Sequence, residues 1–280
     1  MNDTAFEVKM DFIRHEKCGV VYMTAPNISV KHAFTTRYGG VSEGAFSSLN
    51  LNVSGKDDPA HIAENYRILC SALDIPLEKM VYTHQVHGTN ILSVTEKDSV
   101  SIFDLSVDGC DGLITETPYL PIIAFTADCI PILLYDPVSG VVGAVHAGWR
   151  GTVADIAGKA VMKMMSGFGS DPKNIQCAIG PGIDKCCFET DGDVPDAVID
   201  ILGDDGKNYI TENGRKYHVD LKGVNKALLV RRGVLAENIA VSDECTMCLH
   251  DKYWSNRYTH GDRGCQACVI MLGRTDNEKA

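Results

Sequence analysis

The sequence predicts a single domain that mixes strands and helices, and three observations predict it. Residues 140–165 (GVVGAVHAGWRGTVADIAGKAVMKMM) read as strand, glycine-bracketed turn and amphipathic helix. Two apolar runs joined by Asp136-Pro137-Val138-Ser139-Gly140 read as a hairpin. No internal repeat, low-complexity tract or linker interrupts the 280 residues, so 1–280 is expected to be one domain.

The elements follow in order. Val20–Met23 and Lys31–Thr36 are short strand-like runs. Arg37 ends the second, before the Gly39-Gly40 turn, either as a surface arginine or as a group that reaches a phosphate or carboxylate. Pro59 suits the first turn of a helix capped by Asp58, with Ile62, Tyr66, Leu69 and Leu73 on its buried face and Cys70 beside them. Met80–Thr83 predicts a strand followed by His84-Gln85-Val86-His87-Gly88. In a continuing strand His84 and His87 face opposite ways, which makes them poor partners for one metal unless a bulge intervenes. Asp108–Gly112 predicts a turn and Leu113–Thr115 a strand. Pro131 is expected to place the first hairpin strand near an edge or bulge.

The hairpin carries the first chemical inference. Cys129 precedes one strand and His146 ends the other, both away from the turn, so thiol and imidazole are expected to be neighbours. After His146, Thr152 is read as a helix N-cap with Asp155 as its capping-box partner, and the apolar face runs Val153, Ile156, Ala157, Ala160, Val161, Met164, Met165. Arg150 and the free N–H groups at Gly151–Thr152 would then make an anion site, the alternative being an ordinary turn with Arg150 in solvent. Further on, Ile175–Ile179, Ile239–Val241 and Ala267–Leu272 predict strands, and Val194–Leu202 and Lys222–Arg232 helices.

Lysine plus arginine number 26 against 37 aspartates and glutamates, a net charge of −11. That balance argues against nucleic-acid or anionic-membrane partners but leaves room for a local basic pocket. The N-terminal stretch through Lys17 is charged and lacks a secretory apolar core, and no run reaches transmembrane length. The eleven cysteines are therefore expected to be mostly reduced in a cytoplasmic protein. Cys245-x2-Cys248 and Cys265-x2-Cys268 have zinc-ribbon spacing. Against a ribbon, Cys265 leads straight into a strand-like run, and the intervening Tyr253-Trp254-Ser255-Asn256-Arg257 reads as a functional loop rather than a ribbon hairpin. Separately, the adjacent Cys186-Cys187 pair reads as two packed or half-exposed thiols. The H-x-E and P-C-x-x-C signature of cytidine-type deaminases is absent.

The segments TTRYGGVS (35–42), SLNL (48–51), HQVHG (84–88), TADCIPILLYDP (126–137), AVHAGWRGT (144–152) and IGPGI (179–183) resemble the laccase-domain, or polyphenol-oxidase, family of the purine nucleoside phosphorylase type. The resemblance implies an α+β single domain with mixed β-sheets sandwiched between helices. It implies zinc held by His87, Cys129 and His146, which are also the catalytic candidates. Two imidazoles and a thiolate suit zinc, and three protein ligands leave an open catalytic position. The implied chemistry is phosphorolysis of adenosine, inosine, guanosine or methylthioadenosine to base and ribose-1-phosphate, with adenosine deamination as a second activity.

For substrate and phosphate we nominate Arg37, Arg150, Gln85 and Asp111. Two other chemistries stay in view. Some bacterial relatives are linked to peptidoglycan editing, and a Cys–His amidase would use Cys129 as nucleophile. A copper-dependent polyphenol oxidase would have to work without any His-x-His pair, since the chain has none. The family's arginine-rich tail motif is altered here to Ser255-Asn256-Arg257-Tyr258-Thr259-His260-Gly261, where only Arg257 matches.

Overall fold

The computed structural model describes residues 10–99, 101–103 and 107–273. Residues 1–9, part of the charged N-terminal stretch noted above, lie outside the described residues. Among those described, the strands form three sheets. The first has the order β1 (Ile13–Lys17), β2 (Val20–Thr24), β3 (Lys31–Thr35), β16 (Gln266–Met271), β8 (Ile122–Thr126), β4 (Val81–His84), β6 (Val107–Asp108). The second runs β15 (Ile239–Val241), β11 (Gln176–Ile179), β9 (Ile130–Asp136), β10 (Val141–Ala147), β7 (Gly112–Thr115), β5 (Ile91–Ser93). The third is small: β12 (Glu189–Thr190), β14 (Lys216–Val219), β13 (Ile210–Asn213). The helices are α1 (Pro59–Leu73), α2 (Trp149–Val153), α3 (Ile156–Phe168), α4 (Asp193–Leu202), α5 (Leu221–Arg231) and α6 (Asn256–Thr259).

The period-2 alternation of a strand explains the layering. On β16, Ala267, Val269 and Met271 pack with Ile62, Tyr66 and Leu69 of α1. The intervening Cys268 and Ile270 face Leu133, Val142 and Ala144 of the second sheet. On β10, Val142 and Ala144 point into that inter-sheet layer, while Val141, Val145 and Ala147 meet Ile156 and Ala160 of α3 and Val224 and Leu228 of α5. The result is one compact domain of four layers, helix, sheet, sheet, helix, with sheets sandwiched between helices as expected. Because both faces of the central strands are buried, they read as continuous apolar runs rather than alternating ones. The α1 cap is as expected: the Asp58 side chain accepts from the Ala60 N–H. Among the described residues no helix is long and apolar enough to cross a membrane.

Two local expectations are corrected. Pro131 lies in a central strand, not at an edge or bulge, since β9 runs between β11 and β10. It is tolerated because β11 has ended by then. Gly180 N–H donates to the Pro131 carbonyl (2.9 Å), and the donor that proline lacks falls at the frayed end of the ladder. The helix after His146 is also not continuous. Thr152 is not its cap but a buried residue inside the single-turn α2, its N–H bonded to Gly148 O (2.8 Å) and its hydroxyl accepting from Asn225. Asp155 then takes a left-handed conformation (φ 61°) and itself caps α3 through Gly158 N–H. The apolar face survives from Ile156 to Met164, but Met165 is exposed.

Candidate metal and substrate site

The hairpin places the first two groups. β9 and β10 pair antiparallel from Val141 opposite Asp136 to Ala147 opposite Ile130, so Cys129 emerges beside His146 at the open end. Consecutive strands β8 and β9 belong to different sheets, and Cys129 sits in the crossover between them. Asp128 makes that crossover possible with a left-handed backbone (φ 86°). Its carboxylate accepts from Thr246 Oγ1 (2.7 Å) and from the Arg257 N–H (2.6 Å).

His87 arrives from the other sheet. β4 stops at His84, and the chain turns so that His87 adopts φ 59°. The odd spacing of His84 and His87 therefore ceases to matter, because the strand does not continue. His87 N–H and Gly88 N–H donate to the Asp111 carboxylate at 2.9 and 2.7 Å. The same carboxylate bonds His146 Nδ1 (2.9 Å), and Asp111 O accepts the His146 N–H (2.7 Å). One fully buried carboxylate thus orients both histidines.

The ligand atoms of His87, Cys129 and His146 lie within 4.8 Å of one another. His87 Nε2 is 3.9 Å from Cys129 Sγ, and the two imidazole rings stand perpendicular, centroids 4.8 Å apart. With Nδ1 of His146 engaged by Asp111, its Nε2 is the nitrogen left to bind. That carboxylate–histidine arrangement is the one that supports metal-ligating imidazoles. The donor set therefore fits a metal.

The electrostatics agree. Burial pushes the Cys129 thiol up, but the charge of His146 and hydrogen bonds from both histidines outweigh it and bring the thiol down to about 6. Burial pushes His146 down, while Cys129 and Asp111 together raise it to about 9. The two face each other as thiolate and imidazolium at neutral pH. For Asp111, burial acts upward, but His146 and the Gly88 and His87 N–H groups hold the carboxyl below its usual range.

Gly148 closes the site. A Cβ there would lie 2.9 Å from His87 Cδ2 and 3.3 Å from Cys129 Sγ. The His87 backbone is pinned by its N–H bond to Asp111, so the imidazole and the Cys129 sulfur must give way to an added methyl group. Gly148→Ala is therefore expected to splay the three groups and weaken divalent-metal binding by about 10- to 100-fold. Metal titration of the variant checks this, with circular dichroism expected to stay native.

A cleft of about 360 Å³ opens over Cys129 and His87, lined by Trp149, Ile183, Phe188, Asn256, Arg257 and Arg263 among others. A second depression, which also borders His87, Cys129 and His146, includes His84, Gln85 and, again, Arg263. The nominated substrate groups lie elsewhere or are engaged. Arg150 is exposed, stacked over its neighbour Trp149, and does not line either depression. Of the expected Gly151–Thr152 anion position, the Thr152 N–H is spent on Gly148 O (2.8 Å). Arg37 donates to the Ser47 and His250 carbonyls and lies 4.0 Å over Trp254, tying loops together. Gln85 borders the second depression, but its amide is clamped to the Phe125 backbone at both ends (2.7 Å each). Asp111 positions histidines from beneath the site.

The cations at the cleft are Arg257 and Arg263. Arg257 Nη1 donates to the Glu189 carbonyl (3.0 Å), and Arg263 Nε to Asn256 Oδ1 (3.1 Å). Arg263 and Asn256 were not nominated from the sequence. The signal available was their place in the altered tail motif around Arg257, distant in sequence but carried to the cleft by Asp128. The ribbon spacing is corrected too. Cys268 is buried within β16 and Cys265 lies against Arg263, while Cys245 and Cys248 gather with Cys186 and Cys187.

Comparison with known proteins defines the class. The family model described as multi-copper polyphenol oxidoreductase laccase matches residues 31–273. Purine nucleoside phosphorylase YlmD of Geobacillus stearothermophilus is 36% identical over 271 residues, 95% of this chain and 98% of that protein. Adenosine deaminase RL5, from an unknown prokaryotic organism, is 34% identical and spans 83% of this chain and 90% of its own. The crystal structure of YlmD from Geobacillus stearothermophilus superimposes with a TM-score of 0.88 at 34% identity, covering 94% of this chain and 100% of that one. The chain belongs to this laccase-like family, the YlmD/YfiH proteins.

Proposed function

We propose that this protein is a zinc-dependent purine nucleoside phosphorylase that also deaminates adenosine. The observation that carries the reading is the convergence of two imidazoles and a thiolate at the floor of a cleft whose rim bears Arg257 and Arg263. The names of the relatives above support the substrate class. Nucleoside and phosphate are its small-molecule partners in this reading, and the eleven free cysteines suit a reducing cytoplasm.

In phosphorolysis the N-glycosidic bond breaks as positive charge develops on the ribose, and phosphate adds at the anomeric carbon. Arg257 and Arg263 hold anionic oxygens, a task for which guanidinium groups are suited. Trp149, Ile183 and Phe188 offer an apolar wall for the purine face. Asp111 keeps His146 in one tautomer and orientation. Zinc on His87, Cys129 and His146 would supply a Lewis acid with an open position for a phosphate or water oxygen. Deamination replaces the purine C6 amino group by oxygen from water and releases ammonia.

Incubation of zinc-loaded protein with adenosine and phosphate tests the reading. Ribose-1-phosphate with adenine, and inosine, are the expected products. Their absence, or equal turnover by His146→Ala, would overturn it. A pH dependence follows as well. Between about 6 and about 9 the Cys129–His146 pair holds one proton, resting on His146. Metal binding must expel it, so apparent affinity is expected to rise about tenfold per pH unit across that window and to flatten above it. Below about 6 the thiolate protonates too and the slope steepens. Competition titrations with a chromophoric chelator measure this, and an affinity independent of pH from 6 to 9 would contradict it.

The thiolate–imidazolium character of Cys129 and His146 also favours a second reading, a Cys–His amidase with Cys129 as nucleophile. Amide hydrolysis by metal-free protein, blocked by a thiol alkylator, would support it over the first.

A further inference from the structure

We propose that Cys186, Cys187, Cys245 and Cys248 form a second, structural metal centre that takes zinc, separate from the His87–Cys129–His146 site. Their four sulfurs lie within 4.8 Å of one another. Cys187 Sγ is 3.3 Å from Cys248 Sγ, and Cys186 Sγ is 3.5 Å from Cys248 and 3.6 Å from Cys187. A tetrahedral zinc with Zn–S bonds of about 2.3 Å sets its sulfurs about 3.8 Å apart, so only small adjustments are needed. A disulfide requires about 2.05 Å, well inside every one of these separations.

The surroundings fit a thiolate cluster better than four packed thiols. Cys245 Sγ accepts the Asp184 N–H at 3.4 Å and further N–H bonds from Met247 and Cys248. Three donors converging on one sulfur match an anionic ligand at the start of a Cys-x-x-Cys turn, where backbone N–H groups typically support the metal-bound sulfur. Beside it, Lys222 is only 3% exposed and spans the two ligand-bearing loops. Its Nζ donates to Asp184 Oδ2 (3.1 Å) and to the Ser242 and Glu244 carbonyls (2.9 Å each). Paired with Asp184, that ammonium ties the residue whose N–H feeds the Cys245 sulfur to the Ser242–Glu244 segment that leads into Cys245. Four thiolate donors select a soft, tetrahedral ion and leave no open coordination position, which marks a structural centre.

The location gives the centre a role. It staples the loop of Cys186–Cys187 to that of Cys245–Cys248. The first loop continues into Phe188 and lends its carbonyls to Arg257, and the second carries Thr246, which holds Asp128. The metal would thus brace one wall of the cleft without touching a substrate.

Metal analysis of the untagged full chain, purified under reducing conditions, tests the proposal. The wild type is expected to carry two zinc ions per chain. Cys248→Ser and Cys186→Ser, both at exposed positions, should each lose one equivalent while keeping the ion at Cys129. Cys129→Ser should lose only the other, and Cys265→Ser neither. Substitution with cobalt(II) adds a second readout: the strong sulfur-to-cobalt charge-transfer absorption of a four-thiolate site should vanish in Cys248→Ser and persist in Cys129→Ser. A metal count in Cys248→Ser and Cys186→Ser equal to that of the wild type would overturn the proposal. A Cys187–Cys248 disulfide in the isolated wild-type protein, found by mass spectrometry, would do the same. Because the two sites lose separate equivalents, failure here is distinguishable from failure of the His87–Cys129–His146 reading.

Discussion

Cys129→Ser is expected to cost at least about 100-fold in metal affinity and to abolish nucleoside turnover, with the fold intact. The substitution is nearly isosteric, and Cys129 lies in a crossover at the cleft floor rather than in a packed layer. A serine hydroxyl does not ionise near neutral pH, so the anionic ligand is lost while the shape is kept. The same change removes the negative charge that helps to raise His146. The His146 titration should therefore move downward toward the ordinary imidazole range, which NMR of the ring protons would follow. Retention of both metal and phosphorolysis by Cys129→Ser would mean that the thiolate is not a ligand.

Asp111→Asn is expected to act at one remove and on two observables. The carboxylate accepts from His87 N–H, Gly88 N–H and His146 Nδ1, and more distantly from Val86 N–H at 3.3 Å. An amide has only one oxygen for these donors, and its own N–H groups would face N–H groups in a place water does not reach. The loss should be about 3 kcal/mol of stability, as for breaking a buried charge-assisted network. For a domain of this size that corresponds to a Tm lower by about 6–12 °C. Metal affinity should fall by about 10- to 100-fold. The sign of the pH effect separates orientation from mere loss of stability. Without Asp111 the raised His146 value drops, so the window in which affinity climbs with pH should end below 9. A variant that loses stability but keeps the wild-type pH profile would leave Asp111 a structural role only.

The parts of this site legible in the sequence are those fixed by local geometry. The Asp136–Gly140 turn sets the β9–β10 register, and the register alone brings Cys129 to His146. His87 has no such local link. Its partner Asp111 is 24 residues away, and only the family resemblance nominated it. The arginines show the reverse failure. Arg37 and Arg150 stand next to recognisable turns, yet one is spent on carbonyls and the other turns to solvent. Arg257 and Arg263 reach the cleft because Asp128, far off in sequence, receives the Arg257 N–H. The cysteines make the same point. Two Cys-x-x-Cys pairs have the spacing of a ribbon, but β16 draws Cys268 into the inter-sheet layer and leaves Cys245 and Cys248 to find Cys186 and Cys187. The break at Asp155 escapes a periodicity argument because the apolar face continues across it.

The crossover at Cys129 has a consequence for folding and for exchange of the ion. His87 follows a strand of the first sheet, His146 belongs to the second, and Cys129 lies on the chain between them. No supersecondary unit contains all three, so a complete binding site cannot exist until the sheets have docked. An ion bound there acts as a clasp across the inter-sheet layer, and its binding energy adds to the free energy of docking. The cleft leaves one side of the site open to solvent, so the ion can come and go while the sheets stay docked, and its binding energy still opposes their separation. Deuterium uptake by the inner β10 amides through sub-global opening is then expected to slow as the metal concentration is raised.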